Sequence, residues 1–525
     1  MKTAKAVAAC LAASLLAAGC GAGQAGSAGG DAFSFAIKSD PGLLDPAKVQ
    51  NTTTYTALSL AYDTLVNIEP GGRVAAGLAD TWHVRPSSVT FRLRPGVTCS
   101  DGSPVTARTV ADNVTHLTDP ATKSPAYGVV VPEGLTAKAD GRAGTVTLST
   151  PKPSAFILQS TRYLFIVCGA GLKDRSLLQR GTSGSGPFRL TSARPNQSYT
   201  FTRRKDYAWR RDDAAAAARA MPGSVVLKVV GSESTAANLL LSHQVNAAQF
   251  AGPDRARVTN VPGLTTSVEP NGTHEFFFHQ GNGHPGHDPA VRKALLKAVN
   301  LKDLGAIATG GTGRRPTGLV MQPRPCTGDT VTGHLPAFDA REAGAALDAA
   351  GWHRAGHGVR RKAGKKLTVR MIYGTSAGET MAAAAEYLAE AWKKAGVDVR
   401  LRAVSDAAYG EVEAVTQDWD VDWAPLGVTL PTQLIGSLSG RFTPDGGNFA
   451  HLTNHKYEAL TAAATKLPGT SGCATWARSE HALLDSADLV PVVDKTLVTA
   501  AHNATFRITA GLFDPTSIRM TGDTK

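Results

Sequence analysis

The spacing of apolar and polar residues predicts strands and helices along the whole chain. Phe33, Phe35 and Ile37 alternate with polar or small residues, which is typical of a strand with one buried face. Similar patterns predict strands at 89–93, 144–148, 198–203, 224–230 and 275–278. Apolar residues three and four positions apart predict helices at 56–66, 106–116, 288–298, 340–350, 456–467 and 474–484, with Thr106 and Asp288 as N-caps.

One stretch in the second half predicts a parallel strand–helix–strand unit. A strand pattern at 367–373 is followed by an amphipathic helix at 378–395, which Gly396 ends, and by a strand at 397–403. This order favours an α/β fold with parallel strands. A repeat of fixed short period is absent from the sequence, which argues against a solenoid or propeller.

The N-terminus has the pattern of an export signal. Lys2 and Lys5 precede an apolar stretch that reaches Ala18, so we expect residues 1–19 to be a signal peptide. The segment 16–20, Leu-Ala-Ala-Gly-Cys, resembles a bacterial lipobox, which implies that Cys20 becomes the lipidated N-terminus. Cleavage without lipidation is the alternative. Small and polar residues in 20–32 predict a flexible tether.

Length and composition indicate a large folded protein. With 525 residues, 42% of them hydrophobic and 19% charged, we expect two or more lobes. The net charge of +12 is compatible with nucleic-acid binding or with a basic surface that has no dedicated partner. Because the cations are scattered and not interleaved with aromatic residues, we expect no nucleic-acid partner.

The position of each cysteine in the sequence indicates its role. Cys10 lies in the predicted signal and Cys20 is the predicted lipid attachment, which leaves four cysteines in an oxidising compartment. Four cysteines allow three pairings, of which proximity in the sequence and the lobe division favour Cys99–Cys168 and Cys326–Cys473. Because metal-ligand spacings are absent from the sequence, we expect no metal and no cofactor.

Candidate catalytic motifs do not match. The glycine-rich segment 181–186 lacks the last glycine of a nucleophile elbow, and 364–366 lacks the serine or threonine of a P-loop. Four histidines, His274, His279, His284 and His287, surround Glu275, but a strand followed by a loop does not place them on one face. We expect no enzyme; an exported hydrolase with a dispersed triad is the remote alternative.

Several blocks of sequence resemble one known family. These are Leu-Asp-Pro at 44–46, Gly-Leu-Ala-Asp-Thr-Trp at 77–82, and the blocks at 90–97, 100–107, 184–190 and 288–295. In this order and spacing they resemble the extracellular solute-binding proteins, family 5, of oligopeptide and dipeptide ABC importers. The resemblance implies a two-lobed periplasmic-binding-protein fold of type II, in the large peptide-binder variant, with a cleft closed by a hinge.

The resemblance also implies an organisation and a set of partners. Lobe I is expected at 33–268 with an extra subdomain at about 55–185, lobe II at 269–500, and a return to lobe I at 501–525. The expected partners are a small solute, an ABC permease with its ATPase, and the membrane through the N-terminal lipid. We expect a monomer that is exported and anchored to the outer face of the cell membrane.

The resemblance implies candidate ligand-binding residues, because peptide binders of this family contact the peptide with a Trp and pair its α-ammonium with an Asp. Here no carboxylate lies between Pro425 and Pro431. Either Asp422 takes that role or the solute carries no free amine. The candidates are Asn51, Thr53, Tyr55, Asp420, Asp422, Trp423, Arg441, Asn448 and Phe449.

The same sequence leaves the solute class open. A peptide or peptide-like solute is the first hypothesis. A sugar, metal chelate or siderophore on the same scaffold, or a signalling lipoprotein, is the alternative, since a fold does not define a function.

Overall fold

The computed structural model describes residues 31–49, 51–209, 221–509 and 511–522. The predicted signal peptide, Cys20 and nearly all of the predicted tether lie outside the described residues. The strands are β1 Ala32–Ile37, β2 Val66–Ile68, β3 Val74–Ala76, β4 Ala79–Arg85, β5 Ser88–Leu93, β6 Thr136–Asp140, β7 Thr145–Ser149, β8 Phe188–Arg194, β9 Ser198–Arg203, β10 Ser224–Val229, β11 Ala247–Phe250, β12 Leu264–Phe278, β13 Arg361–Lys362, β14 Lys365–Lys366, β15 Thr368–Gly374, β16 Asp398–Val404, β17 Val421–Leu426, β18 Leu489–His502, β19 Ala504–Thr509 and β20 Leu512–Met520.

The α-helices lie mainly between these strands. They are α1 Thr52–Ala61, α2 Ala107–Thr118, α3 Ile157–Ser160, α4 Gly169–Lys173, α5 Leu177–Arg180, α6 Glu233–Leu241, α7 Arg255–Val258, α8 Pro289–Lys297, α9 Leu301–Ala308, α10 Ala340–Ala349, α11 Glu379–Lys394, α12 Asp406–Gly410, α13 Ile435–Leu438, α14 His455–Ala464 and α15 Cys473–Asp485.

A large mixed sheet runs through the molecule, with the strand order β16-β15-β17-β12-β18-β11-β1-β10-β9-β8. We call the part around β1 and β8–β11 lobe I, and the part around β15–β17 lobe II. The predicted parallel unit is confirmed, since β15 and β16 pair in parallel with α11 between them. The expected α/β two-lobed fold is therefore confirmed.

Two long strands connect the lobes. The first half of β12 pairs with β18 in lobe I, and its second half pairs with β17 in lobe II. The register is interrupted between Pro270 and Thr273, where Gly272 has φ +96°. On the other strand, β18 pairs with β11 already from Val498. This interruption between the two lobes is where backbone rotation is easiest.

Each lobe has its own core on each side of the sheet. In lobe II, β12 and β15–β18 bury one face against α8–α11 and the other against α13–α15. A separate four-stranded sheet, β4-β5-β7-β6, packs against α2 as a third core next to lobe I. Helix α1 packs in the lobe I core and not in this third core.

Local sequence signals explain several element boundaries. The hydroxyl of Thr106 accepts a hydrogen bond from the Thr109 N–H, and the Asp288 carboxylate accepts one from the Ala290 N–H, as predicted for N-caps. The predicted helix at 56–66 was displaced: it begins at Thr52 because Asn51 caps it, and it ends at Ala61. Cys99 is bonded to Cys168 and Cys326 to Cys473, the pairing that proximity favours.

Candidate functional site

The cleft between the lobes is defined by strand direction. β15, β16 and β17 are parallel, so their carboxyl ends share one edge of the lobe II sheet. The end of β17 pairs with Thr273, next to the crossing into lobe I. Ligands of open α/β sheets bind outside the carboxyl ends of the strands. The edge that includes the exposed Thr375, Ser405 and Gly427 therefore faces the cleft.

The lobes touch along one seam. The Gly469 N–H in lobe II donates to the Ala155 carbonyl at 2.6 Å, and the Gln433 amide donates to the Val129 carbonyl at 3.3 Å. The ring of Phe156 lies 5.9 Å from that of Trp476. The segment that begins at Ala155 and continues through α3 therefore runs along the boundary between the lobes.

Aromatic and cationic side chains follow α3 and pack against lobe I. The rings of Tyr55 and Tyr163 meet edge to face at 5.6 Å, and the Arg162 guanidinium lies 4.9 Å from the Tyr163 ring centre. Arg162 also donates to the Thr509 carbonyl at 3.0 Å. Burial, together with the neighbouring Tyr163, raises the pKa of Tyr55 to about 12, so its phenol stays protonated and can donate a hydrogen bond.

The other two lobe I candidates lie at the start of α1. The Asn51 side-chain oxygen accepts the Thr54 N–H at 2.9 Å, so Asn51 has a capping role. The Thr53 hydroxyl lies 3.0 Å from the Ser39 hydroxyl, which joins α1 to the segment after β1. The structure thus brings Asn51, Thr53 and Tyr55 together on one helix.

Asp420 lies at the opposite end of lobe II from the cleft. It precedes β17, whose carboxyl end faces the cleft, and it bonds Arg370 at 2.8 Å and the His284 ring at 2.8 Å. Burial opposes its ionisation, but the bonds from His284 and Arg370 outweigh it and hold the pKa of Asp420 at about 2. Asp420 therefore lies at the amino end of β17 and is held there by His284 and Arg370.

Trp423 and Asp422 point to opposite faces of the sheet and are both buried. Trp423 is 1% exposed and packs against Phe276 in the lobe II core. Asp422 is fully buried and accepts a hydrogen bond from the Tyr409 hydroxyl. Burial, with Glu413 nearby, raises the pKa of Asp422 well above its usual range. Both side chains therefore lie inside lobe II, one on each face of its sheet, and among the described residues the Asp422 Oδ2 and Trp423 Nε1 atoms have no hydrogen-bond partner.

The last three candidates belong to one loop of lobe II. Asn448 is buried and exchanges hydrogen bonds with the Leu452 backbone at 2.8 and 2.9 Å, which fixes the loop. Phe449 packs at 5.1 Å against Phe277 in the core. Arg441 is exposed at the start of the loop. This loop also contacts the His279 region through His451, far from the cleft edge.

Sequence reasoning missed Arg162, Tyr163 and Glu275 as candidate site residues. A charged residue directly before the three phenylalanines of 276–278 was a signal for Glu275, which is completely buried. Arg162 and Tyr163 gave no signal, because their contacts with Thr509 and Tyr55 join segments that are far apart in sequence.

Among the described residues, no group of three or more histidine, cysteine or acidic side chains is placed to hold a metal ion. Over the same part of the chain, none of the helices combines the length and apolarity needed to span a membrane.

Two lobes joined by paired crossing strands are the architecture of proteins that close around a ligand by a hinge. The family described as "Bacterial extracellular solute-binding proteins, family 5 Middle" matches residues 73–436. The chain therefore belongs to the family 5 bacterial extracellular solute-binding proteins.

Individual relatives agree with this class. The periplasmic murein peptide-binding protein MppA of Escherichia coli is 24% identical over 495 residues, which covers 88% of this chain and 87% of the relative. The probable deoxycholate-binding periplasmic protein YgiS of Escherichia coli is 24% identical, with 89% and 88% covered. The crystal structure of the ABC transporter substrate-binding protein CtaP of Listeria monocytogenes superposes with a TM-score of 0.79 at 17% identity, covering 94% of this chain and 99% of that one.

Proposed function

We propose that this chain is the substrate-binding lipoprotein of an ABC importer and that it captures a peptide or peptide-like solute between its lobes. The observation that carries the proposal is the pair of strands β12 and β18, which join the lobes beside the cleft edge. A second support is that one full-length relative is a murein peptide-binding protein by name. We propose no catalytic role.

The hinge of this closure is proposed at the interruption in β12 and the facing part of β18. The Gly272 N–H donates to the Met321 sulfur at 3.0 Å, and the backbone N–H of Met321 donates to the Val428 carbonyl at 2.8 Å. Val428 follows β17 at the cleft edge. These two hydrogen bonds would therefore connect a solute at this edge to the crossing strands.

The membrane and transport partners belong to the same proposal. Cys20 would carry the lipid that holds the chain on the outer face of the membrane, and a permease with its ATPase would receive the solute. The signal-like N-terminus and the lipobox resemblance support the anchor. The domain limits would be lobe I from residue 33 to the crossing, lobe II up to β18, and the C-terminal hairpin back on lobe I.

A thermal-shift screen tests the solute class. The mature chain from Gly21 onward is unfolded and refolded to remove bound solute, then heated with peptides, sugars, metal chelates and bile acids in turn. A ligand at one hundred times its Kd stabilises the native state by about 2.7 kcal/mol, so peptides are expected to raise the Tm by several degrees.

A pair of Tyr55 variants tests whether a solute that raises the Tm binds in the cleft. Tyr55→Ala removes the ring that meets Tyr163 edge to face and is expected to weaken peptide binding at least tenfold, whereas Tyr55→Phe keeps the ring and most of the affinity. A stabilising shift from a bile acid or chelate and none from peptides would overturn the peptide assignment. Equal affinities for both variants would show that the solute binds elsewhere.

A further inference from the structure

Glu275 lies just inside lobe II on β12. It follows the crossing at Pro270–Thr273 and pairs with Ala424 of β17. Side chains alternate along a strand, so Glu275 shares its sheet face with Phe277 and with Asp422, which pairs with Phe277. This face is covered by α15. Glu275 therefore lies between the sheet and α15, near the cleft edge.

The carboxyl group of Glu275 is placed without a hydrogen-bond partner. The residue is 0% exposed, and neither Oε1 nor Oε2 has a partner in the described part of the chain. A buried polar group without a partner costs free energy, and buried polar side chains nearly always have one. Such a group destabilises the native state of the protein alone, and a ligand that bonds to it would remove this destabilisation.

The neighbours of Glu275 are acidic. Glu480 of α15 accepts the Leu319 N–H at 3.4 Å, and Asp494 of β18 accepts the Thr273 hydroxyl at 2.7 Å. Burial, then Glu480 and then Asp494, raise the pKa of Glu275 well above its usual range. A neutral carboxyl group in this setting becomes a strong anchor when a cation arrives, because the cation favours its ionised form.

The buried cation Arg324 does not fill this role. Burial raises the pKa of Glu480 and Asp494 and the charge of Arg324 opposes this rise, but the donors of Arg324 are directed mainly to backbone carbonyls. The acceptors are the carbonyls of Gly328 at 2.5 Å, Thr317 at 2.7 Å, Cys326 at 3.0 Å and Val320 at 3.2 Å, and the Thr317 hydroxyl at 3.2 Å.

A second observation at the seam points to a ligand independently of the acidic groups. Trp476 lies one turn before Glu480 on α15, so the two side chains share a face of that helix. Its indole N–H is buried without a partner in the described residues, and the same holds for the side-chain oxygen of Gln159 on the α3 side. One donor and one acceptor at the boundary of the lobes suit the N–H and C=O of an amide.

Lobe I covers this place. The Phe156 ring contacts Trp476, and Ala155 accepts the hydrogen bond from Gly469 just before α15. In the proposed opening at the hinge, these contacts would break and the seam beside α15 would open to solvent. A solute could then enter from the cleft and be covered again on closure.

We infer that Glu275 binds a cationic group of the solute, an ammonium or a guanidinium, at a site between β12 and α15 whose seam side includes Trp476 and Gln159. This inference rests on the proposed function and narrows its substrate class to positively charged peptides or peptide-like amines. The cationic group is supplied either by the α-amino terminus or by a side chain.

Isothermal titration of the refolded mature chain tests the inference with three probes. These are the tripeptide Ala-Lys-Ala, its Nε-acetyl-lysine form and its Nα-acetyl form. Removal of the cation that Glu275 binds is expected to lower the affinity at least tenfold, and the two acetylated forms tell which cation it is. In Glu275→Gln, which keeps the shape and removes the charge, that difference is expected to fall below threefold.

Glu413→Gln is the matched control. Glu413 is a partly buried acid beside Asp422 on the same face of lobe II, and its replacement is expected to keep the full preference. If Glu275→Gln retains the preference, or if neither acetylation weakens binding, the inference is overturned while the peptide function stands. If Ala-Lys-Ala and its two derivatives all fail to bind but neutral peptides bind, the cationic class is overturned. If no peptide binds, the proposed function fails with it.

Discussion

At the scale of single residues, buried ionisable groups dominate lobe II. His274 is 2% exposed, and neither ring nitrogen has a hydrogen-bond partner in the described part of the chain. Burial, with Lys495 nearby, lowers the pKa of His274 to about 3. The pKa of an ordinary histidine in the unfolded chain is about 6.5. Between these two values the unfolded chain binds a proton that the native chain does not.

This difference predicts acid sensitivity. Because the unfolded state holds more protons below about pH 6.5, His274 should make the protein less stable as the pH falls, by about 2 kcal/mol from pH 7 to pH 5. Urea unfolding at both pH values is expected to show a smaller loss for His274→Leu than for the parent chain. His455→Leu, at an exposed site, serves as control. Identical losses in the parent and His274→Leu would contradict the burial argument.

Local roles of residues, such as helix capping, were predicted better than their packing against distant segments. The caps Thr106 and Asp288 could be read from sequence because an N-cap depends only on residues a few positions away. Trp423 could not, because an aromatic residue near a strand end suits a cleft or a core equally well. Its packing against Phe276 depends on the pairing of β12 with β17, whose residues are far apart in sequence.

At the scale of elements, local signals and long-range pairing contributed differently. The strand–helix–strand unit at β15, α11 and β16 was predicted from periodicity alone. The first half of β12 was missed, since only its second half is continuously buried and ends in three phenylalanines, whereas most of its first half faces solvent. This strand therefore carries a mixed pattern along its length.

The cap of α2 gives a direct test at this scale. The Thr106 and Thr109 side chains form a reciprocal pair that satisfies the first N–H groups of the helix. Thr106→Ala is expected to cost about 1 kcal/mol of stability, and Thr106→Ser to cost much less because it keeps the hydroxyl. Urea unfolding that gives equal midpoints for the two variants would contradict a capping role.

At the scale of the whole molecule, the family, the α/β class and the two lobes follow from distributed sequence blocks, whereas the cleft does not. Of the residues proposed from sequence, only those of α1 lie on the lobe I side of the seam. The Arg162–Tyr163 pair and Glu275 became candidates once the lobes were placed together. A binding site between two lobes is built from segments that share no local pattern, so packing has to reveal it.

The most direct test of the account is closure of the lobes on a solute. Fluorescent labels at Thr191→Cys in β8 and Arg400→Cys in β16 mark the two edge strands of the large sheet, one in each lobe. A second pair, Glu342→Cys with Arg400→Cys, lies within lobe II and serves as control. Energy transfer is recorded while a peptide that raised the Tm is added to the refolded chain. Energy transfer between the two lobes is expected to rise as the peptide fills its site, whereas energy transfer within lobe II is expected to stay constant. Saturating peptide that leaves the distance between the lobes unchanged would contradict capture by hinge closure.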